Sequence, residues 1–146
     1  MTARNEALQR LDGIVGQWKL TMSDAWFLEP PGTEVLGSAT VEWLDDAFVI
    51  VRSELDGVLD LAIGRSDAHE RYVALYYDDR GTCRVFDMTF DGREWALLRE
   101  DPDFHQRFAA EVDADRIAGR WEASEDEGRT WKKDFDLTFE RVSNAS

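Results

Sequence analysis

The sequence predicts an all-β protein: a closed antiparallel up-and-down barrel of about ten strands behind a short N-terminal helix. Three observations carry this. Beyond the first fourteen residues, apolar and polar side chains alternate with the period of a strand. Polar turn signals recur at intervals of roughly 11 to 13 residues, the rhythm of successive hairpins. A meander of that many strands exposes two unpaired edges unless it closes on itself.

Taken in order, residues 1–14 carry the only helical periodicity, with Ala7, Leu8, Leu11 and Ile14 on one face and Gly13 as the stop. A first strand runs near Gly16 to Met22. The one long connection, Ser23 to Glu34, presents Trp26, Phe27 and Leu28 followed by Pro30, Pro31 and Gly32, and reads as a lid or a plug over one end. Turns follow at Asp45-Asp46, Asp56-Gly57, Ser66 to His69, Asp78 to Gly81, Asp91-Gly92, Asp101 to Asp103, Asp113-Ala114 and Glu125 to Gly128. Residues 15–142 thus form one barrel, and residues 1–146 a single domain.

Tight turns set register, and register sets which side chains face inward. A two-residue turn at Asp113-Ala114 places Phe108 opposite Gly119, Gln106 opposite Trp121 and His105 opposite Glu122 on the outer face. A two-residue turn at Asp91-Gly92 pairs Phe86 with Leu97 and Arg84 with Arg99. A turn at Asp56-Gly57 brings Arg52 inward, and simple alternation in the last strand brings Trp131, Lys133, Phe135, Leu137, Phe139 and Arg141 inward. The inward polar residues Arg52, Tyr77, Arg84, Arg99, Gln106 and Lys133 then gather at the end that also receives the long connection.

Charge and cysteine content exclude several classes. Thirty-one acidic against seventeen basic residues give a net charge of −14, which repels nucleic acid and anionic membrane surfaces. The single cysteine, Cys83, forms no internal disulfide, and the Met-Thr-Ala-Arg start has no secretion-signal pattern. No apolar run reaches the roughly 18 residues of a membrane helix. A cytoplasmic location is expected.

Gly16, Trp18 and the terminal Arg141, with this strand count between them, resemble the calycin superfamily of lipocalins and fatty-acid-binding proteins. The run from Gly119 to Arg141, with Trp121, Ser124, Asp126, Gly128, Trp131 and Asp134, is similar to an uncharacterised bacterial family of lipocalin-like barrels without assigned activity. The resemblance implies that Arg141 lies across the Trp18 indole beneath the barrel, with Gly16 beside them. Haem-binding nitrobindin is a more distant likeness. Its glycine-rich first-strand motif is missing after Trp18, His69 falls in a turn and His105 points outward, so the expected reading has no cofactor and a haem-binding, nitrobindin-like protein stands as a lesser alternative.

The expected function is noncovalent binding of a small apolar or anionic amphipathic molecule. Arg52, Tyr77, Arg84, Arg99, Gln106 and Lys133 meet the head group, Trp121 and Phe108 the apolar body, and Trp26, Phe27 and Leu28 form the lid. Inward cations are costly to desolvate without an anion to answer them. Two rivals stand beside it: a small isomerase or decarboxylase built on an inward Tyr-acid pair, and an interaction module with a filled barrel. Ala74, Tyr76, Val85, Ala96 and Leu98 are expected on the outside as a homodimer face. His105 with Glu122 reads as an exterior ion pair, Cys83 as no nucleophile, and the acidic turn around Asp126 lacks the ligand spacing of a calcium loop.

Overall fold

The computed structural model describes residues 6–30, 32–55, 60–66 and 71–142. Pro31, Asp56, Gly57 and His69 of the sequence reading lie outside them, as does the Ala7 side chain. Ten strands follow a short helical segment: α1 (Glu6–Gln9) continues as a 3-10 turn (Arg10–Gly13). The strands are β1 (Gly16–Ser23), β2 (Val35–Leu44), β3 (Phe48–Glu54), β4 (Leu61–Arg65), β5 (Tyr72–Tyr77), β6 (Cys83–Phe90), β7 (Glu94–Glu100), β8 (His105–Val112), β9 (Arg116–Ser124) and β10 (Lys132–Arg141). Every strand pairs antiparallel with its chain neighbour, and β1 pairs with β10 to close the barrel. The predicted fold class is the observed one, and closure leaves no edge strand to aggregate.

The helical segment closes one end. Leu8, Leu11 and Ile14 are buried against the strands, and the Asp12 carboxylate accepts from Trp43 Nε1 at 2.7 Å. Trp18 Nε1 donates to the Ile14 carbonyl at 2.9 Å. The Arg141 guanidinium lies 4.2 Å from the Trp18 ring centroid and donates to the carbonyls of Val15, Gly13 and Ala114 at 2.9, 2.9 and 2.7 Å. Gly16 makes this approach possible: a Cβ there would sit 2.5 Å from Arg141 Nη1, and its φ of +145° disfavours any side chain.

Above this plug, buried rings fill the middle of the barrel. Trp18 meets Phe139, Phe139 meets Trp95, Trp95 meets Phe108, Phe108 meets Trp121 and Trp121 meets Phe86, with centroids 5.1–6.3 Å apart. These are favourable edge-to-face or tilted geometries. Gly119 gives Phe108 its space, because a Cβ there would fall 2.5 Å from the ring. These rings pack the lower half, and the cavity described below lies beyond Trp121 and Phe86.

Register differs from expectation at four places. Phe108 lies opposite Trp121, not Gly119, and Met88 opposite Leu97, so Phe86 is not paired with Leu97 nor Arg84 with Arg99. Each of these turns is two residues longer than expected, which leaves facing unchanged. The other two shifts are odd. Pairing of Val51 with Leu61 turns Arg52 outward, and pairing of Tyr77 with Cys83 turns Tyr77 outward and Ala74 and Tyr76 inward. A β-bulge between Lys133 and Phe135 adds a third reversal, leaving Lys133 and Trp131 outside while Phe135, Leu137 and Phe139 stay inside.

Candidate ligand-binding site

At the end opposite Trp18, the barrel holds a cavity of about 300 Å³. Met22, Val35 and Leu55 from β1, β2 and the end of β3 supply its aliphatic wall. Phe86, Trp121 and Phe135 supply its aromatic wall, and Phe27 and Leu28 of the long connection lie over it. Its polar side chains are Tyr76, Arg84 and Gln106, on the inward positions of β5, β6 and β8.

Arg84 is the cation of this cavity. Its guanidinium carbon lies 5.3 Å from the Tyr76 ring centroid and 5.2 Å from that of Phe104. Nη1 donates to Gln106 Oε1 at 3.4 Å, a long bond. Among the described residues no carboxylate pairs with it. Two rings lie within cation–π reach of it, and no described carboxylate answers its charge.

The other expected head-group residues go elsewhere. Arg99 faces inward and is 8% exposed, but it is neutralised: Nε meets Asp101 at 3.0 Å, Nη2 meets Asp103 at 2.9 Å and Nη1 donates to the Phe104 carbonyl at 2.8 Å. Arg52 stands on the outer face and pairs with Glu42 at 3.0 Å. Lys133 is also outside, bonded to Asp24 and, at 3.2 Å, to Asp136. Tyr77 is replaced by its neighbour Tyr76. Phe108 lies one ring below the cavity, against Trp121. Of the expected set, Arg84, Gln106 and Trp121 converge on the space.

The long connection is clipped to the barrel from outside. Trp26 Nε1 donates to Asp134 Oδ1 at 3.2 Å, and Lys133 holds Asp24. Trp26 is 74% and Phe27 47% exposed, and the Phe27 ring meets Phe135 edge-on at 6.0 Å at the cavity rim. Burial pushes the Asp134 carboxyl above the usual range, against the opposing effect of the Trp26 bond.

A tyrosine-acid pair does sit at the mouth: Tyr76 Oη donates to Asp78 Oδ2 at 3.1 Å. It is tuned away from proton transfer near neutrality. Burial raises the Tyr76 phenol, while the Arg80 guanidinium beside Asp78 holds that carboxyl at about 2. A general acid or base works best with a pKa near the working pH. The pair orients the Tyr76 ring under Arg84.

Two further expectations change. Glu122 pairs with Arg107 at 2.9 Å, and His105 lies opposite Ser124 near the β9–β10 turn. The outer apolar face contains Leu75 and Val85, with half-buried Ala96 and Leu98, because Ala74 and Tyr76 point inside. Among the described residues no cluster of His, Cys, Asp and Glu is arranged to hold a metal, and no helix is long and apolar enough to cross a membrane. Sequence reasoning missed Tyr76, Met22, Val35 and Leu55. The odd length of the Asp78 to Thr82 turn hides the first, and nothing local marks the rest. No family model matches this chain, and no curated protein matches it either.

Proposed function

We propose that this protein is a calycin-like carrier that binds a small amphipathic anion, without covalent attachment, in the cavity beneath Phe27 and Leu28. The observation that carries the reading is Arg84: a guanidinium on an otherwise largely apolar wall, beside two rings and an amide and lacking a carboxylate partner among the described residues. In a chain with 31 acidic residues, a cation left unpaired beside a cavity is a place where an exogenous anion replaces lost hydration. Affinity comes from apolar contact with Phe86, Trp121 and Phe135, and orientation from Arg84 with Gln106. The closed ring ladder below sets the floor.

Titration with anilinonaphthalene sulfonate, an amphipathic anion whose emission rises in apolar surroundings, tests this. Saturable binding by the wild type, weakened at least tenfold by Arg84→Met, supports the reading. Binding of equal strength in that variant places the probe on the outer face and refutes it.

A further inference from the structure

We propose that the cargo is a compact planar aromatic carboxylate, and that long-chain fatty acids are excluded; this rests on the binding reading above. Three observations point to it. The first is depth. Trp18, Phe139, Trp95, Phe108, Trp121 and Phe86 form a continuous buried ladder along the barrel interior. The cavity above it, at about 300 Å³, stands at the small end of ligand pockets. An extended alkyl chain cannot run down the barrel axis past these rungs, whose ring centroids lie 5.1–6.3 Å apart.

The second observation is the character of the walls. Phe27, Tyr76, Phe86, Trp121 and Phe135 surround the cavity, and Phe27 already meets Phe135 edge-on at 6.0 Å. Rings arranged in this way offer faces and edges to another ring, a gain beyond area burial that an aliphatic chain cannot collect. A flat ligand also loses less conformational entropy on entering than a chain with many torsions.

The third is the polarity of the mouth. Gln106 Oε1 accepts from Arg84, which leaves the Gln106 amide N–H groups as donors. Tyr76 gives its proton to Asp78. With the Tyr76 proton committed to Asp78, the donors left for a head group are those of Arg84 and Gln106, and the Arg84 guanidinium sits over the Tyr76 and Phe104 rings. A carboxylate coplanar with its ring presents two acceptors to such a fork.

The test is calorimetric titration of the full chain with naphthoate, its neutral analogue naphthylmethanol, and hexadecanoate, in wild type, Arg84→Met and Arg84→Lys. Naphthoate should bind the wild type at least tenfold more tightly than either other probe. Arg84→Met should cost it at least tenfold, Arg84→Lys a smaller factor, and naphthylmethanol should be indifferent to both. If Arg84→Met does not fold, the comparison of naphthoate with naphthylmethanol on wild type carries the same decision. Hexadecanoate binding as tightly as naphthoate and depending on Arg84 overturns the aromatic assignment while leaving the carrier reading intact. Failure of both anions to bind overturns both.

Discussion

Arg84 and Arg99 share one aromatic ring: their guanidinium carbons lie 5.2 and 4.4 Å from the centroid of Phe104. Arg99 has two carboxylates and a carbonyl, whereas Arg84 has an amide oxygen at 3.4 Å. Substitution should separate them. Arg99→Met loses charge-assisted hydrogen bonds that tie the β7–β8 turn and should cost about 1.5–3 kcal/mol in urea unfolding. Arg84→Met loses ring contacts and the long Gln106 bond, together about 1 kcal/mol or less, and its effect should appear in binding. Equal losses of stability would contradict this division.

Gly16 and Arg141 make the closed end a matter of sterics. Gly16→Ala adds a Cβ 2.5 Å from Arg141 Nη1 at a φ of +145°, so the guanidinium must shift on the Trp18 face and the backbone is strained. A loss of roughly 1–3 kcal/mol is expected from overpacking and backbone strain, read by thermal melting. Binding at the opposite end should persist in the variant.

Asp134 links the long connection to pH. Burial raises its carboxyl above the usual 3.8, so the folded chain disfavours its charge, and stability is lost as pH rises from 3.8 through the raised value. Asp134→Asn keeps an acceptor for Trp26 Nε1 and removes the charge. The variant should gain on the wild type between about pH 3 and pH 7 in paired melting curves. A constant offset across that range would remove Asp134 from the account.

Asp78 works in the opposite sense. Held at about 2, chiefly by Arg80, it contributes stability that is complete above 3.8 and disappears as pH falls through about 2. Asp78→Asn should be less stable than wild type at neutral pH, with the difference closing in acid. The amide that replaces the carboxylate keeps an oxygen acceptor for Tyr76 Oη, so affinity for naphthoate should change little.

The sequence made the barrel legible because hairpin spacing and two-residue alternation are properties of long stretches, and errors in single turns average out. The wall was harder to read, since facing depends on whether each turn holds an odd or even number of residues. The turns at Asp91 and Asp113 were longer than expected by two residues, and Phe86, Phe108 and Trp121 kept their places. At the β3–β4 connection, at Asp78 to Thr82 and at the Asp134 bulge the change was odd, and Arg52, Tyr77 and Lys133 reversed. Arg99 shows a further limit: its inward position was readable, but its capture by Asp101 and Asp103 depends on how the intervening turn folds back. A ring of cations became one.

The most direct measurement is the set of six indole N–H resonances in an amide correlation spectrum as naphthoate is added. Trp121 lines the cavity, Trp18 and Trp95 lie beneath its floor, and Trp43 and Trp131 stand at the far end and on the outer face. The Trp121 signal should move in step with occupancy, while those of Trp18 and Trp43 stay fixed. Movement of Trp131 with Trp121 unchanged would put the ligand on the outside of the barrel and contradict the account.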